Sequence, residues 1–387
     1  MKQLRFGVIG AAGIGQIMSV ATAEQMAKGL IPIKVLALCD TNEERLLQVT
    51  AKVRALGVEP VLYHDYHKML NAVDVVYVGL PNFLHAEAVV AAAAVGVHIL
   101  CEKPLARTLA EALEMARVVR KAGVFIKAQY NNLATKWWQA IVDMILSGEL
   151  IVDYMFFHWL RAVGGPNLGL WFSDKELSGG GAMIDLSSHK LCCVFHVASL
   201  LGLELLEVSC NINQALAPGQ SMAGPYGTGN IGSGPVNVEM DSRLRLLFTN
   251  GVVANVRSAW ACHSTPVEEY EAVVGGPKSE AKMFRSWSEN DGTDDSATER
   301  LTLQSQRNGA PCVTVFNSNN DPRSRDQLMG RDMTLKPFID GILGDEEAQA
   351  SPLMGLEMPL RIQQVMELGY QSAANGGRTI QVEKLVF

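Results

Sequence analysis

The feature that most constrains the fold is a glycine-rich turn close to the N-terminus. An apolar run from Arg5 to Ile9 leads into the loop Gly10-Ala11-Ala12-Gly13-Ile14-Gly15, and a helical pattern follows from Gln16 to Lys28. Glycines let the backbone turn tightly, and they let a pyrophosphate approach a helix N-terminus, where free N–H groups and the helix dipole bind anions. This order of strand, loop and helix indicates a dinucleotide-binding turn; the alternative is a tight turn with no ligand.

Strand and helix patterns alternate after this turn. Apolar strands are predicted over 33–39, 75–80, 98–101 and 125–130, and amphipathic helices over 43–56, 86–95 and 109–121. Such alternation is typical of a parallel sheet with helices on both faces. Right-handed crossovers then predict a doubly wound fold.

The loop departs from the G-x-G-x-x-G pattern, because Ala12 stands at the middle position with Gly13 beside it. The second strand ends in Asp40, 25 residues after Gly15, near the position of a carboxylate that binds the adenine ribose hydroxyls of NAD. A carboxylate at this position repels the 2′-phosphate of NADP. We therefore predict NAD rather than NADP as the cofactor; the alternative is that Asp40 or Thr41 caps the next helix.

Composition and charge exclude several classes of protein. Of the 387 residues, 48% are hydrophobic and 19% are charged, which is typical of a globular protein, and the length predicts roughly two domains. The formal net charge of −7 gives no reason to expect a nucleic-acid partner, and no apolar run is long enough to predict a membrane partner. Seven cysteines without framework or C-x-x-C spacing indicate reduced thiols in a cytoplasmic protein.

Two further stretches resemble a known family. The first is Gly79-Leu80-Pro81-Asn82-Phe83-Leu84-His85, followed after one helix by Leu100-Cys101-Glu102-Lys103-Pro104-Leu105-Ala106. The second is Ser178-Gly179-Gly180-Gly181-Ala182-Met183-Ile184-Asp185-Leu186-Ser187-Ser188-His189. With the glycine loop, they resemble the glucose–fructose oxidoreductase / inositol dehydrogenase (Gfo/Idh/MocA) family over essentially the whole chain.

The resemblance implies a Rossmann domain, placed at residues 1–127, and an α+β domain with an open, mostly antiparallel sheet, placed at residues 128–387. It implies an NAD-dependent dehydrogenase that acts on a secondary alcohol of a sugar, cyclitol or related polyol. A homodimer or homotetramer is expected through the open face of that sheet. The residues expected to contact the cofactor are Gly10, Ala12, Gly13, Ile14, Gly15, Asp40, Pro81, Asn82, His85, Glu102 and Lys103.

The catalytic residues that the resemblance implies are Lys103, Asp185 and His189, and Pro104 is expected to follow a cis peptide bond. The residue types agree: Asp185 and His189 are four apart and would share one helix face. An imidazole can take a hydroxyl proton as hydride leaves the same carbon, and a lysine ammonium stabilises the developing alkoxide. The ordinary alternatives are a surface lysine, a structural histidine and a helix-capping aspartate.

Two residues upstream of this helix are predicted to bind substrate with Lys103, Asp185 and His189. These are Arg161 and Trp171, because polyols are held by stacking and by charged hydrogen bonds; alternatively, Trp171 fills a domain interface. Cys193 continues the helix face of Asp185 and His189, but three donors on one helix rarely converge on a metal, so no metal is predicted.

Two other functions stay open at this point. One is a non-redox enzyme with tightly bound NAD, of glycosidase or lyase type, and the other is a non-catalytic sugar-sensing regulator. The presence of Lys103, Asp185 and His189 argues against the regulator. Whether external NAD is reduced during turnover distinguishes the dehydrogenase from the non-redox enzyme.

Overall fold

The chain folds into two compact units. A computed structural model describes residues 2–161, 168–214, 233–260, 262, 268–287, 298–307, 310–317, 331–351 and 354–385. The first unit holds the described residues of 1–134 and 324–360, and the second holds those of 135–323 and 361–386. A segment late in the sequence therefore belongs to the first unit, although the division at residue 127 assigned it to the second.

Six parallel strands form the sheet of the first unit within the described residues. They are β1 (Leu4–Ile9), β2 (Ile33–Cys39), β3 (Val61–Tyr63), β4 (Val75–Val78), β5 (His98–Glu102) and β6 (Ile126–Gln129). Their order is β3-β2-β1-β4-β5-β6, which confirms the predicted Rossmann fold. The order reverses between β1 and β4, and such sheets bind ligands at the carboxyl ends of the strands at this point.

The described part of the chain contains eleven α-helices, which belong to the two units. The described helices are α1 (Ile14–Ala27), α2 (Glu43–Ala55), α3 (Tyr66–Leu70), α4 (His85–Ala94), α5 (Leu109–Ala122), α6 (Lys136–Leu146), α7 (Lys175–Ser178), α8 (Ser188–Leu201), α9 (Arg331–Ile342), α10 (Glu346–Ala350) and α11 (Glu357–Ala374). None of these described helices has both the length and the apolar character needed to cross a membrane.

Helix α9 completes the core of the first unit. Its residues Leu335, Phe338 and Ile339 are buried in the same apolar cluster as the side chains of β1 and β2. Lys127 Nζ donates to the carbonyl oxygen of Thr334 at 3.2 Å, which satisfies an ammonium buried in β6. This contact between residues 207 positions apart explains why α9 belongs to the Rossmann unit.

Nine described strands form the sheet of the second unit. They are β7 (Tyr154–Arg161), β8 (Leu205–Asn213), β9 (Asp241–Phe248), β10 (Val253–Ala259), β11 (Glu268–Gly275), β12 (Ser279–Trp287), β13 (Thr298–Arg307), β14 (Ala310–Asn317) and β15 (Ile380–Gln381). Their order is β14-β13-β12-β11-β7-β10-β9-β8-β15. Strands β7 and β10 run parallel and the other neighbours antiparallel, so the predicted open, mostly antiparallel sheet is confirmed.

The sequence pattern predicts strands over 152–161, 205–213, 242–248, 252–260 and 268–274 and a hairpin turn at Asn250-Gly251. These match β7 to β11 and a turn whose two residues have φ of 62° and 77°. The sequence pattern does not predict β12, β13, β14 or β15, and it predicts a polar, solvated excursion over 286–300 and Gly/Pro-rich loops over 164–169 and 217–235. Residues 288–297 of that excursion lie outside the described part of the chain, as do most of the predicted loops 164–169 and 217–235. Strands β12 and β13 were missed because they are rich in polar and charged residues, and β13 has only two apolar residues, Leu301 and Leu303.

A buried tryptophan joins α6 to α8 in the second unit. Trp138 is wholly buried, and its Nε1–H donates to His196 Nδ1 at 2.9 Å. The sequence predicts a helix over 131–147 with Trp137 and Trp138 in the core, and both side chains are buried. Because Nδ1 accepts this bond, His196 must be neutral, and burial lowers the pKa of His196 to about 4.

This histidine makes the stability of the second unit sensitive to acid. A histidine of the unfolded chain protonates near its ordinary pKa of about 6.5, whereas His196 stays neutral in the folded protein to about pH 4. The unfolded state therefore binds more protons in this window, and the contribution is present above pH 6.5 and lost as the pH falls toward 4.

We expect the free energy of unfolding of the unmodified protein to fall more steeply in this window than that of His196→Asn, which keeps an acceptor for Trp138. Summed over this pH window, the extra loss of unfolding free energy in the unmodified protein should be at most about 3 kcal/mol. Urea unfolding followed by tryptophan fluorescence between pH 7 and 4.5 measures it. His67→Asn, at an exposed position, should keep the steep slope, and equal slopes for His196→Asn and the unmodified protein would contradict the assignment.

Candidate functional site

The loop after β1 depends on backbone contacts that only glycine permits. A Cβ atom at Gly15 would lie 1.8 Å from the carbonyl oxygen of Gly10, and one at Gly10 would lie 2.5 Å from that of Gly79. Gly10 has a φ of 92° and Gly13 a φ of 51°, in the left-handed region that favours glycine. Helix α1 therefore starts directly against the ends of β1 and β4.

The N-terminus of α1 fits an anionic ligand. Gly13 is its N-cap residue, no side chain hydrogen-bonds to this cap, and the described first turn contains no acidic residue. Ala12 and Gly13 are exposed, and Ile14 is half-buried. A helix N-terminus that is open in this way, at the switch point of a Rossmann sheet, suits the pyrophosphate of a dinucleotide.

Asp40 joins the end of β2 to this loop. Its Oδ2 accepts from the Ala11 N–H at 2.8 Å and its Oδ1 from the Asn42 N–H at 2.8 Å. The side chain that caps α2 is Asn42, which accepts from the Arg45 N–H, so neither Asp40 nor Thr41 is the N-cap residue. Each carboxylate oxygen of Asp40 has a second lone pair that can accept from a ribose hydroxyl.

The loops after β4 and β5 are joined by one histidine. His85 is fully buried, with Nδ1 2.9 Å from the carbonyl oxygen of Pro104 and Nε2 2.8 Å from that of Leu80. The peptide bond between Lys103 and Pro104 is cis, as predicted. Pro81 precedes a 3₁₀ turn at Asn82–Leu84. Contact of these residues with the cofactor stays a prediction.

Glu102 fixes the backbone at Lys103. Its Oε1 accepts from the Tyr77 hydroxyl at 2.5 Å, and its Oε2 lies 3.1 Å from the Lys103 N–H that donates to it. Glu102 is buried and Lys103 is half-buried. Glu102 therefore acts in this structure as a support for the lysine, at the carboxyl end of β5.

In the second unit, Asp185 and His189 lie on a continuous helix that changes type between them. Residues Met183–Ser187 form a π-helical turn, and α8 begins at Ser188. The sequence predicted an ordinary helix for this segment, so the π turn is a correction of that geometry. Both side chains are buried, at 8% and 6% exposure. Single π turns inside helices occur frequently at functional sites.

A network of buried polar groups orients the Asp185 carboxylate. Its Oδ2 accepts from Trp260 Nε1 at 3.1 Å and from Arg161 Nη1 at 3.4 Å. Arg161 Nε in turn donates to Glu268 Oε1 at 3.3 Å, and Trp159 Nε1 donates to the same oxygen. Arg161 thus lies between two carboxylates, and its predicted contact with substrate stays a prediction.

One aromatic ring packs against the predicted base, and three others pack in series in the same unit. The ring of His189 lies 5.5 Å from that of Trp159, at an interplanar angle of 52°. Trp171 packs against Phe172 at 4.5 Å, and Phe172 packs against Trp260 at 5.8 Å. Trp171 is half-buried, and its predicted contact with substrate also stays a prediction.

Sequence reasoning missed Trp159, Lys190, Trp260 and Glu268. Lys190 is wholly buried, with Nζ 4.4 Å from the centroid of the Trp159 ring and a second ring contact on Tyr270. Burial lowers the pKa of Lys190 well below its usual range. The one usable signal was strand alternation, which places residues 159 and 161 of β7 on the same face.

The metal alternative gains no support. Among the described residues, no group of three or more His, Cys, Asp and Glu side chains is placed to hold a metal ion. The thiols of Cys192 and Cys193 instead donate to the carbonyl oxygen of His189, at 3.1 Å and 3.8 Å. Burial raises the pKa of Cys192 well above its usual range.

Family profiles of known proteins match both parts of the chain, and both profiles belong to the same family. The family profile described as "Oxidoreductase family, NAD-binding Rossmann fold" matches residues 4–130. The profile "GFO/IDH/MocA C-terminal domain" matches residues 138–282. D-glucoside 3-dehydrogenase of Escherichia coli (strain K12) is 27% identical over 384 residues, which cover 97% of each chain.

A second relative and a solved structure agree. Levoglucosan dehydrogenase of Pseudarthrobacter phenanthrenivorans is 28% identical over 275 residues, which cover 68% of this chain and 69% of that protein. A solved structure of levoglucosan dehydrogenase in complex with NADH and levoglucosan has a TM-score of 0.76 at 20% identity, covering 99% of this chain and 100% of the other. That likeness shows the shared fold.

The two profiles match most of the sequence, and the chain therefore belongs to the Gfo/Idh/MocA family of oxidoreductases, with an NAD-binding Rossmann fold as its first domain.

Proposed function

We propose that the protein is an NAD-dependent dehydrogenase that oxidises a secondary alcohol of a sugar, cyclitol or related polyol to the ketone, or catalyses the reverse reaction. The observation that carries this proposal is the buried pair of Asp185 and His189 on one helix, with the carboxylate oriented by Arg161 and Trp260. The names of the two relatives, D-glucoside 3-dehydrogenase and levoglucosan dehydrogenase, support a sugar as the substrate.

His189 removes the hydroxyl proton in this proposal. The C–H bond of the carbinol carbon breaks with both electrons, the O–H bond breaks, and the proton goes to the imidazole as the C=O bond forms. When bound, NAD supplies the hydride acceptor. Asp185 stabilises the imidazolium or holds a substrate hydroxyl, and the Lys103 ammonium stabilises negative charge on the reacting oxygen.

Replacement of the base tests this assignment. His189→Ala should lower turnover by about a hundredfold to ten-thousandfold, because that is the usual contribution of a positioned general base. Its NAD affinity should be unchanged, since the predicted cofactor contacts lie in the first unit. Initial rates of NADH formation with a panel of sugars, inositols and sugar acids, together with NAD titration, provide both measurements.

A matched histidine on the same helix gives the control. His196→Asn changes a histidine of α8 that contacts Trp138 and should retain turnover, whereas Lys103→Ala should lose turnover and also bind NAD less tightly. Near-normal turnover of His189→Ala across the pH range would show that His189 is structural. Lys103 would then be the next candidate for the base.

Asp40 is proposed to select NAD over NADP. The unmodified protein should bind NAD more tightly, and Asp40→Ala should narrow the difference because the carboxylate no longer repels the 2′-phosphate. NAD should bind the variant less tightly than the unmodified protein, since Asp40 also holds the Ala11 N–H. Asn42→Ala, which removes the cap of α2 and keeps the carboxylate, should preserve the preference. Fluorescence titration measures the affinities, and equal affinity of the unmodified protein for NADP would refute the proposal.

The open face of the second sheet is proposed to pair with another copy of the chain, giving a homodimer or homotetramer. Tyr154 and Phe156 of β7 are 37% and 36% exposed, and Val313 of β14 is 58% exposed. The strand register places all three on the same face. Large apolar side chains left exposed on one face of a sheet favour contact with another chain.

Light scattering at micromolar concentration should give a mass of two or four chains. Phe156→Arg should shift the population toward the monomer, because it places a charge in the proposed contact. Leu146→Arg, at an exposed position of α6 outside the sheet, should leave the mass unchanged. A single species with the mass of one chain, seen already for the unmodified protein, would count against pairing.

A cytoplasmic location is part of the same proposal. The described cysteines are all free thiols, and Cys39, Cys101, Cys192, Cys193 and Cys210 are buried. Reduced, buried thiols are the usual state of cysteine in the cytoplasm.

A further inference from the structure

A buried carboxylate holds the start of the helix that carries Asp185 and His189. Glu239 is 1% exposed and lies just before β9. Its Oε1 accepts from the Gly181 N–H at 2.9 Å and from the Met183 N–H at 2.8 Å. One oxygen thus receives two donors from the turn that leads into the π helix, from a residue 58 positions away from Gly181 in the sequence.

The backbone of Glu239 completes the same contact. The Ala182 N–H donates to the carbonyl oxygen of Glu239 at 3.0 Å. Three successive amides, at positions 181, 182 and 183, therefore all donate to Glu239. Amides at the start of a helix have no partner within the helix, so Glu239 performs the capping that no side chain within the helix provides.

Tyr370 of α11 holds the carboxylate from the other side. Its hydroxyl donates to Glu239 Oε2 at 3.0 Å. A Cβ atom at Gly180 would lie 1.7 Å from the Tyr370 hydroxyl oxygen, and one at Gly181 would lie 2.1 Å from the Glu239 carbonyl oxygen. The glycines that precede the helix are therefore required because Glu239 and Tyr370 occupy the space of their side chains.

Hydrogen bonds and the helix dipole stabilise a negative charge on the buried Glu239 carboxylate. A buried carboxylate is tolerated only where hydrogen bonds replace water, and Glu239 receives bonds from two N–H groups and one hydroxyl. Burial raises the pKa of Glu239, while the N–H groups of Met183 and Gly181 and the Tyr370 hydroxyl act against that rise. A negative charge at a helix N-terminus is also favoured by the helix dipole.

We propose that Glu239, held by Tyr370, is a positioning residue for hydride transfer, which fixes the first turn of the helix and thereby the placement of Asp185 and His189. Asp185 lies two residues after Met183, and its own N–H donates to the Gly181 carbonyl oxygen at 2.9 Å. A shift of the first turn would move the Asp185 carboxylate away from Arg161 and Trp260. This inference rests on the proposed function.

Two substitutions at Glu239 separate positioning from general packing. Glu239→Ala removes the acceptor and should lower kcat by about a hundredfold, the usual effect of a displacement of about 1 Å in a reacting group. The KM for the sugar should change less than about threefold, and NAD affinity should be unchanged. Glu239→Gln keeps an oxygen for the two amides and should restore kcat to within about tenfold of the unmodified protein.

Hydrogen exchange supplies a readout that does not depend on activity. The amides of Gly181 and Met183 should exchange faster in Glu239→Ala than in the unmodified protein, and Glu239→Gln should retain most of the protection. Asp241→Ala is the matched control, because this nearby carboxylate pairs with Arg243 and Arg257 on the sheet. It should change neither exchange at these amides nor kcat.

Each result decides the proposal. Unchanged exchange in Glu239→Ala would show that the carboxylate does not hold the turn, and fast exchange with normal kcat would show that the turn does not position the reacting groups. A Gln variant as slow as the Ala variant would also overturn the proposal. If Glu239→Ala does not fold, Tyr370→Phe gives the same test, with faster exchange and lower kcat expected. If the unmodified protein oxidises no sugar of the panel, the proposed function fails, while the exchange result still decides whether Glu239 holds the turn.

Discussion

Burial of charge without water is the constraint on which the second unit depends. Arg161, Asp185, Glu239 and Glu268 are each less than a tenth exposed, and buried charges persist only where opposite charges and hydrogen bonds replace solvent. Arg161 lies between Asp185 and Glu268, and the Glu239 carboxylate accepts from the Gly181 and Met183 amides of one turn. These contacts fix the helix of Asp185 against the sheet more specifically than apolar packing could, because each has a required direction. The proposed acid–base chemistry depends on that fixed placement.

In the first unit, the corresponding constraint is steric. The contact of Gly15 with the Gly10 carbonyl oxygen leaves no room for a side chain, and it brings α1 to the switch point of the sheet. Most of this unit was predictable, because the period of apolar residues and the glycine loop are local signals. Strand β3 was missed because its three residues are partly exposed, Val61 at 45%. Helix α9 could not be assigned to this unit, since its partner Lys127 is 207 residues from Thr334.

The residues of the candidate site also divide into those that local sequence motifs predict and those that they do not. Lys103, Asp185 and His189 were found because they stand in short motifs of the sequence. Glu239 and Glu268 were not found, because a single glutamate in a strand or loop carries no local signal. Their partners are distant in the sequence. Glu268 lies opposite Arg161 in the register of β11 and β7, and Glu239 accepts from Tyr370 of α11. The π turn was also not predicted, because residues four apart suggest an ordinary helix equally well.

Direct hydride transfer between a polyol carbon and the nicotinamide is tested most directly by isotope transfer. A sugar deuterated at the carbinol carbon, once the panel has identified one that turns over, should give NADH that carries one deuterium per molecule at C4 of the ring. NMR of the product NADH measures the position, and its mass gives the extent of labelling. NADH without deuterium, or a sugar product that forms with no net reduction of NAD, would contradict the account and favour a non-redox reaction with retained cofactor.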